Sequence, residues 1–278
     1  MAHPNKLANT RILVFGGTSG IGFAVASLCL SSGATVMISG SQQPKVDSKV
    51  SLLQKAYPNL PSSQVSGHAV DLLDTDNLEA NIKDLFEKVT DGGKQKLNHI
   101  VFTAGNIPNM PSIAEMTIPA ALAMGTIRFL APLLIAKLLS AGVYMPISPS
   151  SSLTLTGGTN TQKPFPGWTL AACWGGVAEG MMRGLAVDIA PIRVNMVEPG
   201  AIQTELLQKI VDRLGDVAVE AMKRETLTGT IGVPSDCAES YAWFMRDDFV
   251  TGTVAATNGG RYLAGPGVGL GRDGTGKA

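Results

Sequence analysis

Seven consecutive residues near the chain start, Gly16-Gly17-Thr18-Ser19-Gly20-Ile21-Gly22, have the composition to hold a diphosphate against backbone amides. Gly16 permits a tight turn, Gly20 lets an anionic ligand approach the main chain, and Gly22 allows a helix to pack close to the preceding strand. Thr18, Ser19 and Ile21 complete the turn, and the amino end of the helix that follows would face the phosphates. A glycine triplet alone is weak evidence. This one sits between an apolar run over 11–15 and a helical pattern over 20–31, so it opens a strand–turn–helix unit.

The next strand-like run ends in Ser39-Gly40-Ser41-Gln42, with no carboxylate to accept hydrogen bonds from the ribose hydroxyls. A 2′-phosphate would meet no repulsion there and could bond to Ser39, Ser41, Gln42 and nearby amides. The expected cofactor is therefore NADP(H), although the usual arginine is also absent. Asp71 and Leu72, after the third strand, are placed to border the adenine. Ala104 and Gly105, after the fourth, would let the ribose approach closely.

These positions require a scaffold, and the chain supplies one by alternation. Strand-like runs over 11–15, 35–39, 65–70, 99–103, 152–156, 193–198 and 253–257 are separated by helical patterns over 20–31, 46–55, 75–89, 119–141, 170–190 and 235–245. Alternation of this kind implies an α/β fold: a Rossmann-type, doubly wound parallel sheet of about seven strands, with ligands at the carboxyl ends of the strands. No composition shift marks a second domain, so residues 1–264 read as one nucleotide-binding domain. Within it, 205–233 is expected to form a substrate lid, and the glycine-rich 265–278 a disordered tail.

Composition excludes several classes of function. Among 278 residues, 22 Lys and Arg balance 22 Asp and Glu, which leaves no basic stripe for nucleic acid or an anionic membrane. Three scattered cysteines, Cys29, Cys173 and Cys237, suit reduced thiols in a cytoplasmic protein and lack metal-ligand spacing, so no metal is expected. The polar start, MAHPNKLANTR, does not read as a secretory leader. The most apolar stretch, 119–145, contains Arg128, Pro132, Lys137 and Gly142, and reads as a buried helix rather than a membrane span.

GGTSGIG, VFTAG, IRVNMVEPGAIQT and GTVAATNGG resemble, in order and spacing, the short-chain dehydrogenase/reductase family over roughly residues 10 to 262. The resemblance implies that Pro199 and Gly200 wrap a nicotinamide, with Ile202 near its carboxamide and Thr204 near the phosphates. It also implies a small-molecule substrate and a homo-oligomer, tetramer or dimer, formed through the helix over 170–190. Asn258-Gly259-Gly260 stands where Asp-Gly-Gly is common in the family.

Typical members carry Asn, Ser, Tyr and Lys, the last two as Tyr-x-x-x-Lys on one helix face; Tyr protonates the oxygen that hydride transfer makes negative. Counting back from Gly184-Leu185-Ala186-Val187-Asp188 puts the Tyr position at Ala171 and the Lys position at Gly175. The Ser position becomes Gly158, and the Asn position falls near Met124. A one-residue shift restores nothing, because no tyrosine lies between Tyr144 and Tyr241 and no lysine between Lys163 and Lys209. Loss of a positioned general acid costs roughly 10² to 10⁴ in rate, which argues against ordinary alcohol–ketone chemistry.

What remains near the expected reaction centre is Trp168, after Pro164-Phe165-Pro166-Gly167, as an aromatic wall, and Arg128, a cation in an apolar helix that calls for a phosphate, a substrate carbonyl or a structural carboxylate. Thr156 and Thr159 flank the vacant Ser position, and Cys173 has no evident base. His3, His68 and His99 read as structural. Three functions fit: reduction of an iminium or protonated imine, which needs no further proton donor; a cofactor-bound scaffold for cyclisation or isomerisation; and binding without turnover. The chain also resembles fungal indole-alkaloid reductases that double as Diels–Alder cyclases and lack the same tetrad. They place an acidic residue before the Trp, where this chain has Phe165 and Pro166.

Overall fold

The computed structural model describes residues 3–105 and 111–265. The expected tail beyond Gly265 lies outside the described residues. Seven strands are present: β1 (Arg11–Phe15), β2 (Thr35–Gly40), β3 (Val65–Ala69), β4 (His99–Phe102), β5 (Ser152–Thr156), β6 (Arg193–Pro199) and β7 (Val254–Thr257). They form one sheet in the order β3-β2-β1-β4-β5-β6-β7, every neighbouring pair parallel. The sequence of connections reverses between β1 and β4, which opens a crevice at the carboxyl ends of those strands.

The central strands are apolar throughout because both faces of the sheet are covered. In β1, Leu13 and Phe15 join Phe86, Phe102, Ile135, Leu153, Met182 and Val194 on one face. Ile12 and Val14 point the other way, with Val25, Val36, Val101, Tyr241 and Phe244. The first face is covered by α3 (Leu78–Thr90), α5 (Ala131–Leu139) and α6 (Thr169–Asp188); the second by α1 (Gly20–Ser31), α2 (Gln43–Ala56) and α9 (Pro234–Arg246).

The helix expected over 119–141 is interrupted. A six-residue α4 (Ile118–Ala123) is followed by a π-turn at Thr126–Leu130 and then by α5. The amide of Ala131 bonds to the carbonyl of Thr126, five residues back. Pro132 stands in the first turn of α5 and has no amide to continue the ordinary ladder, so the chain widens by one residue there. The expectation of a buried helix holds only for the face that α5 turns to the core. The run Ile118–Leu139 has the length and hydropathy of a membrane-crossing helix, and α4 leaves Ile118 and Leu122 exposed.

The segment 205–233 contains α7 (Glu205–Leu214) and α8 (Asp216–Arg224), separated by Gly215 with φ at 74°. Its two ends are joined by an isolated bridge between Ile202 and Gly232, where Gln203 N donates to Gly232 O at 2.8 Å.

Candidate active site

The glycine turn is built as its residue types require. A Cβ on Gly16, whose φ is 78°, would meet the backbone of Ala104, and one on Gly22 would meet the Gly16 carbonyl and the Thr103 hydroxyl. Glycine at these places lets β1, β4 and α1 converge. Ser19 precedes α1 in extended conformation and makes no side-chain cap, so the helix amino end is left for another acceptor. Thr18 is buried against Gly40, at the end of β2.

The structure divides the residues expected to face a 2′-phosphate. Ser41 and Gln42 are exposed beyond β2, but Ser39 is fully buried and its hydroxyl has no hydrogen-bond partner among the described residues. Ser39 shares its face of the strand with Met37 and looks into the core, which removes it from that role. Past β3, Leu72 is buried and Asp71 is exposed, its Oδ1 accepting from Leu73 N at 2.8 Å. On the far side, Gly200 packs against Asn258, whose Oδ1 accepts from Gly260 N and Arg261 N. Asparagine thus makes the turn an aspartate would make. Ile202 is buried at its bridge, and Thr204 caps α7 by accepting from Leu207 N at 3.2 Å.

Arg128 is brought to the carboxyl ends of β4 and β5. Its guanidinium lies so close to Gly105 that a Cβ there would stand 2.5 Å from Nη2, and Nη1 donates to Gly157 O at 3.3 Å. Among the described residues it forms no ion pair with any carboxylate. Burial lowers its pKa from the ordinary value. A cation held between two strand ends with no carboxylate beside it among the described residues has the chemistry to take an anion or a carbonyl as partner.

Trp168 lies elsewhere on the rim. It packs on Phe165 with ring centroids 5.8 Å apart, and the Arg261 guanidinium stands 4.3 Å from the Phe165 ring. Arg261 in turn pairs with Glu225 at 2.9 Å, so the aromatic wall is tied to the end of α8. A Cβ on Gly175 would collide with the Thr161 hydroxyl, whereas one on Gly158 would meet nothing within 4 Å among the described residues. Thr161 fills the space that a side chain at position 175 would enter. Thr156 is engaged by Phe102 O and Tyr241 OH, both at 2.7 Å, and Thr159 is buried. Cys173 is exposed, and His99 is buried, bonded to Ser152 Oγ at 2.9 Å.

Four groups escaped sequence reasoning. Tyr241 comes from α9 on the opposite face, fully buried, its hydroxyl pKa raised by burial. Glu198, at the end of β6, is fully buried; burial raises its pKa, and Tyr262 OH donates to it at 2.5 Å, while its second oxygen has no partner among the described residues. A carboxylate inside the apolar run VNMVEPG was the available signal. Trp174 covers Gly125 and donates to Ala121 O at 2.8 Å; its place three residues after Ala171 put it on the same helix face. Glu205 accepts from Gly20 N at 3.0 Å, and its position after a helix cap gave no hint of that long-range bond.

A parallel sheet with a glycine turn at its reversal point and a cleft at its carboxyl edge defines a nucleotide-binding α/β protein. The family profile of an SDR-like Rossmann domain matches residues 3–264, and the chain belongs to the short-chain dehydrogenase/reductase family, whose fold implies a nicotinamide nucleotide cofactor. It is 42% identical over 257 residues to the short-chain dehydrogenase/reductase malC of Malbranchea aurantiaca, covering 92% of this chain and 96% of that one. It is 38% identical to ATR9 of Stachybotrys chlorohalonatus, over 91% of this chain and 96% of the relative. The solved structure of the MalC reductase/Diels-Alderase from Malbranchea aurantiaca superposes with a TM-score of 0.87, covering 93% of this chain and 98% of that one.

Proposed function

We propose that this protein is an atypical reductase of fungal-type secondary metabolism that uses NADPH to reduce an imine or iminium intermediate of alkaloid character. NADPH, when bound, supplies the hydride. The observation that carries the reading is a cofactor cradle with all its glycines beside a reaction edge where Ala171, Gly175 and Gly158 offer no proton. An iminium carbon that accepts hydride leaves a neutral amine, so no oxyanion develops and no donor is needed.

In this reading Gly16, Gly20 and Gly22, with Thr18, Ser19 and Ile21, hold the diphosphate. Ser41 and Gln42 meet the 2′-phosphate, Asp71 and Leu72 border the adenine, and Ala104 and Gly105 border the ribose. Pro199, Gly200, Ile202 and Thr204 enclose the nicotinamide end. Arg128 orients a cofactor phosphate or a substrate carbonyl, and Trp168 with Phe165 forms an apolar wall that excludes water. Residues 205–233 serve as the substrate lid. We place the protein in the cytoplasm, with its cysteines reduced, as a homo-oligomer through the exposed face of α6, where Cys173, Val177, Gly180, Gly184 and Val187 align.

A second reading, assistance of a Diels–Alder-type cyclisation without net redox change, is favoured by the likeness to a reductase/Diels-Alderase. Against it stands Phe165, held under Arg261 in place of a carboxylate. Incubation with cyclic imines and 4-deuterated NADPH separates the two. Reduction puts deuterium in the product; cyclisation yields product of unchanged mass only when cofactor is present. Brisk reduction of simple ketones would sink the main reading.

A further inference from the structure

Gly20 is the first residue of α1, and its amide is the donor that the glycine turn aims at an incoming phosphate. That amide is already engaged. Glu205 Oε2, 185 residues away in the chain, accepts from it at 3.0 Å. The contact is built from both sides: a Cβ at Gly20 would stand 2.8 Å from the methyl of Thr204, so the first turn of α7 rests directly on the glycine turn. A cleft of about 460 Å³ opens at this place, lined by Gly20, Phe23, Gln203, Thr204, Glu205 and Gln208. Ser19 provides no competing side-chain cap.

A carboxylate on the leading amide of α1 carries the charge and acceptor geometry of a phosphate oxygen. We propose that Glu205 is an internal stand-in for the cofactor's diphosphate, holding α7 against the glycine turn until the nucleotide displaces it. The inference rests on the nucleotide site described above. Displacement breaks one hydrogen bond, frees the start of α7 beyond the fixed Gln203 amide, and makes cofactor capture and the position of α7 a single event. Conversely, return of the carboxylate promotes release of the spent cofactor. Because Glu205 is exposed, its repulsion of the diphosphate is screened by salt.

The test is a fluorescence titration of the full chain with NADPH, in dilute buffer and at high salt, comparing wild type with Glu205→Gln. Glu205→Gln is expected to bind about tenfold more tightly in dilute buffer, the scale of one exposed charge pair, with the gain shrinking at high salt. Amide exchange at Gly20 in the cofactor-free protein, read by NMR, is expected to be faster in the variant. Equal or weaker binding by Glu205→Gln, while wild type binds NADPH, overturns the proposal and leaves the nucleotide site standing. Failure of wild type to bind NADPH overturns both. Should Glu205→Gln unfold, Glu205→Ala provides the same comparison, and the proposal falls if it does not bind more tightly.

Discussion

Arg128 and Ser39 show how differently two polar residues in apolar elements end up. Both were flagged by type and position, yet Arg128 reaches the strand ends while Ser39 is sealed in the core. The difference is strand parity: Ser39 lies in register with Phe15 and faces the same packed layer. Among the described residues Arg128 has one long hydrogen bond and no counter-charge, so its desolvation is a cost to the fold. Replacing it with an apolar side chain of similar length should therefore not harm the fold. Arg128→Met is expected to keep or raise the melting temperature while lowering product formation by roughly tenfold or more. A drop of several degrees with little loss of turnover would assign Arg128 to structure instead.

The π-turn and α6 decide which side chains can exist at the reaction edge. Pro132 and Arg128 were visible in the sequence, but the extra residue in the turn that joins them was not, since periodicity does not register a one-residue insertion. On α6, the vacancy at Gly175 is enforced by a neighbour rather than merely tolerated. Thr161 fills the space and donates to Gly158 O at 2.9 Å. Gly175→Ala is expected to destabilise the protein by about 1 to 3 kcal/mol through overpacking. Combining it with Thr161→Gly should restore part of that loss, which urea unfolding of the two single variants and the double variant would reveal as coupling. Additive effects would show that Thr161 does not hold the position.

The sheet sets a limit on acid stability through His99, buried at the start of β4 beside Ser152 and near Arg193. Burial first, and Arg193 second, lower its pKa from 6.5 to about 3. Between those values the unfolded chain binds a proton that the native protein refuses. Stability is therefore intact above pH 6.5 and is lost progressively as pH falls toward about 3, at about 1.4 kcal/mol per unit. His99→Asn cannot titrate, and is expected to flatten this part of the stability–pH curve in denaturant unfolding. An unchanged slope would show that other groups govern acid unfolding.

Read from the sequence alone, the strand–helix alternation, the glycine turn, the family and the missing Tyr-x-x-x-Lys were all determined, because each depends on residue type at short spacing. Helix ends were less secure: α2 begins three residues before the expected position, and the helix over 119–141 divides in two. What only the tertiary structure decided are meetings across long stretches of chain: Glu205 with Gly20, Tyr262 with Glu198, Arg261 with Phe165, and Thr161 against Gly175. Such contacts follow from how seven strands order themselves in one sheet and which loops that order brings to the same edge, and no local pattern records it.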